Sequence, residues 1–354
     1  MAGMKKTTVS KLVHKYLPYV VVIAAFAVCQ SMISSGTMPR TTKTLLIPVC
    51  AYIVMAVSLN LTVGISGELS LGHAGFMSIG AFTGIVISAY TQQVFGFSEP
   101  LQLLFAILAG GIMAGIMGFM IGIPVLRLQG DYLAIVTLAF GEIIRNVLNC
   151  IYISIDGKAL RFSFNRPDLP GQLLFRGPTG ATGVNRIATF TAGFVLVLFT
   201  LFVVLNLVHS RSGRAIMAIR DNKIAAESCG IDVTKYRMMA FVTSAALAGM
   251  GGALFGLNYS TLVPANFSFN ASILILVYVV LGGIGNITGS IVAATVLYVL
   301  PEKLRAFADY RMLVYAVVLI AVMLLTNNQT IKNFLAAFRE KDREKSEKKG
   351  GEAA

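Results

Sequence analysis

Glu142 and Arg145 lie three residues apart inside the apolar run Tyr132–Ile153. That spacing puts both on one helix face. On the insertion scale, each costs about 2.5–3.5 kcal/mol at a bilayer centre. Such residues face the interior of a helix bundle, where they pair or line a polar path. A second cluster sits in Gly64–Phe76, where Gly64, Gly67, Gly72 and Gly75 surround Glu68, Ser70 and His73. Glycines this dense weaken a helix. Backbone freed in this way has to face protein or a water-lined cavity. Two readings stand: a short solvated turn carrying Glu68, or a gate in a translocation path using Glu68, Ser70 and His73. Either way the chemistry is ion pairing and gating, not bond making. No Cys or second His lies near His73 to complete a metal site. Cys29, Cys50, Cys150 and Cys229 lack C-x-x-C or zinc spacing. The only Gly-Lys pair, Gly157-Lys158, has Tyr152 where a phosphate loop needs its first glycine. The expectation is a chain that binds no metal, nucleotide or cofactor of its own.

Residues 210–237 form the longest internal polar stretch on the basic side of the chain. Asp221 can cap a short helix over Asn222–Cys229, and Gly230 can end it in a left-handed conformation. Asp232 or Thr234 then restarts the next helix. Ile224, Ala225 and Ser228 would share one side, with Ala225 and Ala226 small enough for close seating in a partner's groove.

These residues have to be held by membrane helices. The 354-residue chain is 56% hydrophobic and 13% charged, about half the charge of an ordinary soluble domain. Soluble enzymes, disordered chains and secreted disulfide scaffolds are excluded. Ten apolar runs approach spanning length: about Leu17–Ser34, Thr44–Val63, Leu71–Tyr90, Leu101–Ile123, Tyr132–Ile153, Ile187–Val208, Met238–Asn258, Ala271–Leu281, Ile287–Leu300 and Tyr310–Leu325. The eighth and ninth are short and separated by Gly282–Asn286. The first follows four lysines and resembles a signal peptide; with nine runs behind it, an uncleaved helix is expected. Small residues recur every four positions at Ser244, Ala248, Gly252 and Gly256, and in the pairs Gly111/Gly115 and Gly118/Gly122. Such ridges let helices approach closely.

The net charge is +13. In a polytopic protein that surplus marks cytoplasmic loops and not nucleic-acid binding. With the N-terminus inside, 18 Lys and Arg fall on the cytoplasmic side and 10 on the other, so both termini are expected in the cytoplasm. Residues 1–16 then form a cytoplasmic N-terminus and 17–326 the membrane domain. The Pro- and Gly-rich residues 154–186 make an ordered external loop, and 327–354 a charged cytoplasmic tail.

The stretches LTVGISGELSLGHAGFMSIGAFTG, RLQGDYLAIVTLAFGEIIR, GRAIMAIRDNKIAAESCGI and VVLGGIGNITGS together resemble the inner-membrane permease of branched-chain amino acid ABC transporters. The likeness runs from about residue 44 to 325. It implies an all-α polytopic bundle like that of type II ABC importers in a bacterial inner membrane. It also implies a second related permease, two cytoplasmic ATPase subunits that use ATP and Mg, and an extracytoplasmic substrate-binding protein. By the same resemblance, residues 210–237 are the coupling segment, with Arg220, Asp221, Ile224, Ala225, Ala226, Glu227 and Gly230 against an ATPase. General ABC permeases place three residues between E-A-A and Gly, whereas here Ala225-Ala226-Glu227 is followed by two before Gly230. The solute implied is a branched-chain aliphatic amino acid, with urea or short amides as the alternative inside the family. An ion-coupled secondary transporter, in which Glu68, His73, Glu142 and Arg145 relay protons, is the rival outside it.

Overall fold

The computed structural model describes residues 2–36, 39–128, 130–156, 159–164 and 171–304, with 313, 316, 317 and 320 beyond. The tenth apolar run, all but those four positions, and the 327–354 tail lie outside the described residues. The chain divides into Met1–Val296 and Leu297–Ala354; the architecture below is that of the first unit.

Seven helices of the described residues are long and apolar enough to cross a membrane, fewer than the ten expected. They are α1 (Ala2–Ser34, apolar from Leu17), α2 (Arg40–Asn60, continued by a π-helical turn, Leu61–Ile65), α3 (His73–Phe95), α4 (Glu99–Val125), α5 (Asp131–Cys150), α6 (Phe190–His209) and α9 (Val233–Gly256). Between them lie the shorter α7 (Arg211–Asp221) and α8 (Lys223–Ser228). The eighth and ninth runs form α10 (Phe269–Gly282) and α11 (Ile287–Lys303), both shorter than a full span.

The pillar of the unit is α2, where Val54, Met55, Ala56, Leu59 and Leu61 are fully buried. Beside it α9 packs against both α3 and α4 through glycine. A Cβ built on Gly80 would lie 2.5 Å from the carbonyl carbon of Gly249, and one on Gly118 would lie 2.6 Å from Ala245 Cβ. The small-residue ridges of α4 and α9 thus meet partners as their spacing predicts. Large side chains point outward instead: Ile112 and Met120 on α4, and Val195 and Phe202 on α6, are exposed. α1 stacks Phe26 on Phe194 of α6, ring centroids 3.9 Å apart.

An all-α chain was the expectation; a small sheet modifies it. The span expected to run to Ile153 ends at Cys150, and Ile151 opens a strand. Strands β1 (Ile151–Asp156), β2 (Ala159–Phe164), β3 (Gln172–Arg176), β4 (Ala181–Thr182) and β5 (Thr261–Leu262) form an antiparallel sheet in the order β2-β1-β3-β4-β5. β5 comes from the connection after α9, so that connection and strands β1–β4 lie at one end of the bundle. Leu262 and Phe175 are buried, and Phe175 packs edge-on against Phe82 of α3 at 4.7 Å. The sheet is therefore a cap seated on α3. A cavity of about 430 Å³ opens there, lined among others by Ser88, Gln92, Thr182 and Asn185. The short helices α7 and α8 occupy the opposite end.

Candidate functional site

At the short-helix end α2 does not simply stop. Ser66 N–H donates to Leu61 O at 3.0 Å, the five-residue step of a π turn, and Glu68 N–H closes a wider loop onto Thr62 O at 3.0 Å. Gly64 makes that turn possible. A Cβ there would lie 2.7 Å from Gly285 Cα, and closer still to Gly285 N and Asn60 Oδ1. Gly285 belongs to the break between α10 and α11, where Gly283 and Gly285 have φ of +94° and +82°. Asn60 joins the two breaks: Gly285 N–H donates to its Oδ1 at 2.8 Å, and its Nδ2 donates to Ser290 Oγ at 3.0 Å.

The chain then turns back through residues 66–72 with alternating faces. Ser66, Glu68 and Ser70 are buried while Gly67 and Leu69 are exposed. Glu68 is therefore not the solvated turn residue of one sequence reading. It is 5% exposed, with Arg237 Nε 2.8 Å from its Oε1. That separation makes an ion pair, yet the atoms are not aligned for a hydrogen bond. Among the described residues, both Glu68 oxygens, Ser66 Oγ and Ser70 Oγ are buried without a hydrogen-bond partner. Burial pushes the Glu68 carboxyl up to about 7, and the Arg237 charge opposes that rise.

His73 begins α3, fully enclosed. Its Nε2 is 2.8 Å from Ser58 Oγ, and Ser58 Oγ donates to Met55 O at 3.0 Å. With that hydroxyl proton directed to Met55, Nε2 carries the imidazole proton. Ser244 of α9 donates to Ser58 O, Leu71 N–H to Thr137 Oγ1 of α5, and Ala74 N–H to Ser272 Oγ of α10. Four elements, α2, α5, α9 and α10, thus converge on the start of α3. Sequence reasoning picked out Ser70 and His73 but missed Ser58, Asn60, Thr137 and Ser272. Their signal was present as single polar residues inside apolar runs.

Glu142 and Arg145 pair as their spacing predicts, Arg145 Nε donating to Glu142 Oε2 at 2.8 Å. Each side chain is 29% exposed. The carboxylate has a second role that the sequence did not show: its Oε1 accepts the Phe269 N–H, the first of α10, at 3.2 Å. It therefore serves one of the orphan donors of that helix N-terminus. Glu142 thus pairs with Arg145 and Glu68 with Arg237, while Gly141, beside Glu142, packs on Gly72 and Gly75 at the start of α3. Among the described residues no group of His, Cys, Asp and Glu is placed to hold a metal ion.

The short helix falls where residues 222–229 placed it, with one change of cap. Asn222, extended at φ −155° and ψ 105°, accepts the Ala225 N–H on its Oδ1 at 3.0 Å. Asp221 still belongs to α7, and its Oδ1 accepts from Arg220 Nη2 at 2.9 Å. Asp232, not Thr234, caps α9 through the Lys235 N–H. Ile224 is 76% exposed, and Ala225, Glu227 and Ser228 are exposed beside it. Ala226 departs from expectation: it is buried against Ile219 and Val233. A bulky residue there would break the core between α7, α8 and α9 instead of obstructing a groove.

Gly230 has φ +78° with nothing within 4 Å of a built Cβ. Gly230→Val thus meets backbone strain alone, about 1–3 kcal/mol. We expect the protein to insert normally but to be cut more readily by protease at residues 228–232. Unchanged cleavage would show that another residue fixes this turn.

Residues 41–324 match the family model described as the permease component of branched-chain amino acid transport systems. The chain is 36% identical over 309 residues to the high-affinity branched-chain amino acid transport permease LivM of Salmonella typhimurium, and 35% identical to LivM of Escherichia coli. Each alignment covers 83% of this chain and 69% of the relative. The permease LivH of Salmonella typhimurium is 31% identical over 141 residues, 39% of this chain and 43% of that protein. No solved structure matches the chain. With six of the seven membrane-length helices inside the matched residues, this is a multi-pass membrane protein that belongs to the branched-chain amino acid transport permease family.

Proposed function

We propose that this chain is one permease subunit of an ATP-driven importer for branched-chain aliphatic amino acids. It binds no cofactor. A second related permease completes the path, and an extracytoplasmic binding protein delivers the solute. Two cytoplasmic ATPase subunits, using ATP and Mg, drive the cycle. The observation that carries this reading is the family match across residues 41–324. The names of the relatives favour branched-chain amino acids over urea or short amides. The exposed Ile224, Ala225 and Ser228 face of α8 suits docking of an ATPase. His73 is enclosed and Glu142 is committed to Arg145 and the Phe269 N–H; Glu68 alone, its carboxyl pushed up to about 7, is poised to exchange a proton, and one such group makes no relay, which argues against ion-coupled transport.

On this reading the short-helix end is cytoplasmic and the sheet faces outward, with both termini inside a bacterial inner membrane. A tagged chain expressed with its genomic neighbours should co-purify two ATPases and a second permease, and proteoliposomes should take up leucine only with ATP. Uptake driven by a proton gradient without ATP would overturn the importer. Sidedness has its own test. An impermeant maleimide should label Ser163→Cys in intact cells. The native Cys229, exposed after α8, should react only after permeabilisation. The reverse pattern inverts the topology.

A further inference from the structure

Arg220 does not present its guanidinium to a partner as a docking residue would. Its Nη1 donates to Gly64 O at 3.1 Å, and its Nε and Nη2 donate to Asp221 Oδ1 at 3.1 and 2.9 Å. Asp221 thus aims the guanidinium from within α7. The stem of Arg220 covers Gly67, where a Cβ would lie 2.6 Å from Arg220 Cγ. Gly64 is the residue wedged against Gly285, and Asn60 bonds both to Gly285 and to Ser290. A single side chain of the short-helix block therefore grips one helix break, which is locked to a second.

We infer that Arg220 is the positioning residue that makes the α7–α8 block, the π turn at 61–65 and the α10–α11 break move as one joint. This rests on the importer reading and deepens it: the joint transmits motion at the ATPase face to the membrane path. The physical argument has two parts. First, α7 and α8 share a core of Ile219 and Ala226 with Val233, so they shift as one body. Second, both breaks lack the regular i→i+4 ladder and are the most compliant points of their helices. A shift of the block is taken up at Gly64, because Arg220 holds its carbonyl, and is passed to residues 283–286 by direct backbone contact.

The test uses the full chain with its four native cysteines replaced by alanine and one reporter at a time. Ser66→Cys lies beside the first break and Ile287→Cys beyond the second; the native residues are 2% and 8% exposed. In the purified permease, Arg220→Ala should speed alkylation of both reporters at least fivefold. Arg220→Lys keeps the stem over Gly67 but loses the oriented fork; it should speed both by less. In the assembled complex, Arg220→Ala should retain its ATPases and hydrolyse ATP while leucine imported per ATP falls at least tenfold. Unchanged alkylation at either reporter in both variants overturns the joint. Loss of the ATPases with an unchanged import ratio in what remains would make Arg220 a docking residue instead. A wild-type chain that binds no ATPase sinks the importer reading, and the alkylation rates still decide the joint.

Discussion

Gly252→Val should all but abolish folded protein in the membrane. A Cβ at Gly252 would lie 2.8 Å from the carbonyl carbon of Met77 and 3.0 Å from its Cα, with the carbonyl oxygen nearer still. The obstacle is backbone, so no rotamer change can relieve it. The same seam repeats one turn on, where a Cβ at Gly256 would meet Ala81 Cα at 3.2 Å, and Gly80 touches Gly249 beside it. Separating α3 from α9 at one point therefore opens contacts along the whole ridge. Overpacking a close-packed interior typically costs 1–3 kcal/mol, and more when backbone has to move; a membrane protein has little margin beyond about 5–15 kcal/mol. Gly115→Ala is the control, since its Cβ would meet Ala246 Cβ at an ordinary 3.4 Å. We expect it at wild-type abundance with an unchanged elution profile in detergent. Wild-type abundance and thermal inactivation for Gly252→Val would show that α3 and α9 separate freely.

That seam was legible because its signal is local: a four-residue period of small side chains needs only a neighbouring helix to become an interface. The long helices were legible for the same reason. What the sequence hid depends on partners far along the chain. Glu68 reads either as a solvated turn residue or as part of a gate until Arg237 is folded against it. Ile151, Tyr152 and Ile153 read as the end of a helix, since an apolar triplet fits either period; pairing with residues 159–164 and 172–176 makes them a strand. Residues 261–262 are too short to announce themselves as the edge of that sheet.

In the short-helix block the misses are subtler. Asp221 and Asn222 are both good caps, and the sequence does not say which has extended dihedrals. Asn222 does, which frees Asp221 to orient Arg220. Ala225 and Ala226 look equivalent, but a six-residue helix buries a narrow stripe, and only Ala226 lies on it. The exposed side passes to Ile224, which is 76% exposed. Residues that sequence reasoning grouped as one contact surface thus separate into an outward set around Ile224, an inward core residue at Ala226, and Arg220 turned back toward the helix breaks.

Glu142→Gln should lower the abundance of folded protein several-fold, and Glu142→Ala should lower it further. The carboxylate balances Arg145 and accepts the first N–H of α10. Glutamine keeps an acceptor for Phe269 but leaves the guanidinium uncompensated; alanine loses both. Removing one partner of a fully buried pair costs about 3–5 kcal/mol. With 29% of each side chain exposed, the smaller part of that range and below, about 1–3 kcal/mol, is the expectation here. The neutral double variant, Glu142→Gln with Arg145→Gln, strands no charge and should recover most of the loss. The reversed pair, Glu142→Arg with Arg145→Glu, should recover less. It restores the attraction but puts a cation, with no acceptor, beside the positive end of α10. Membrane abundance and detergent monodispersity rank the four variants. If Glu142→Gln accumulates normally yet abolishes uptake, the pair is part of the solute path. In that case its exposed third faces the solute and not a neighbouring subunit.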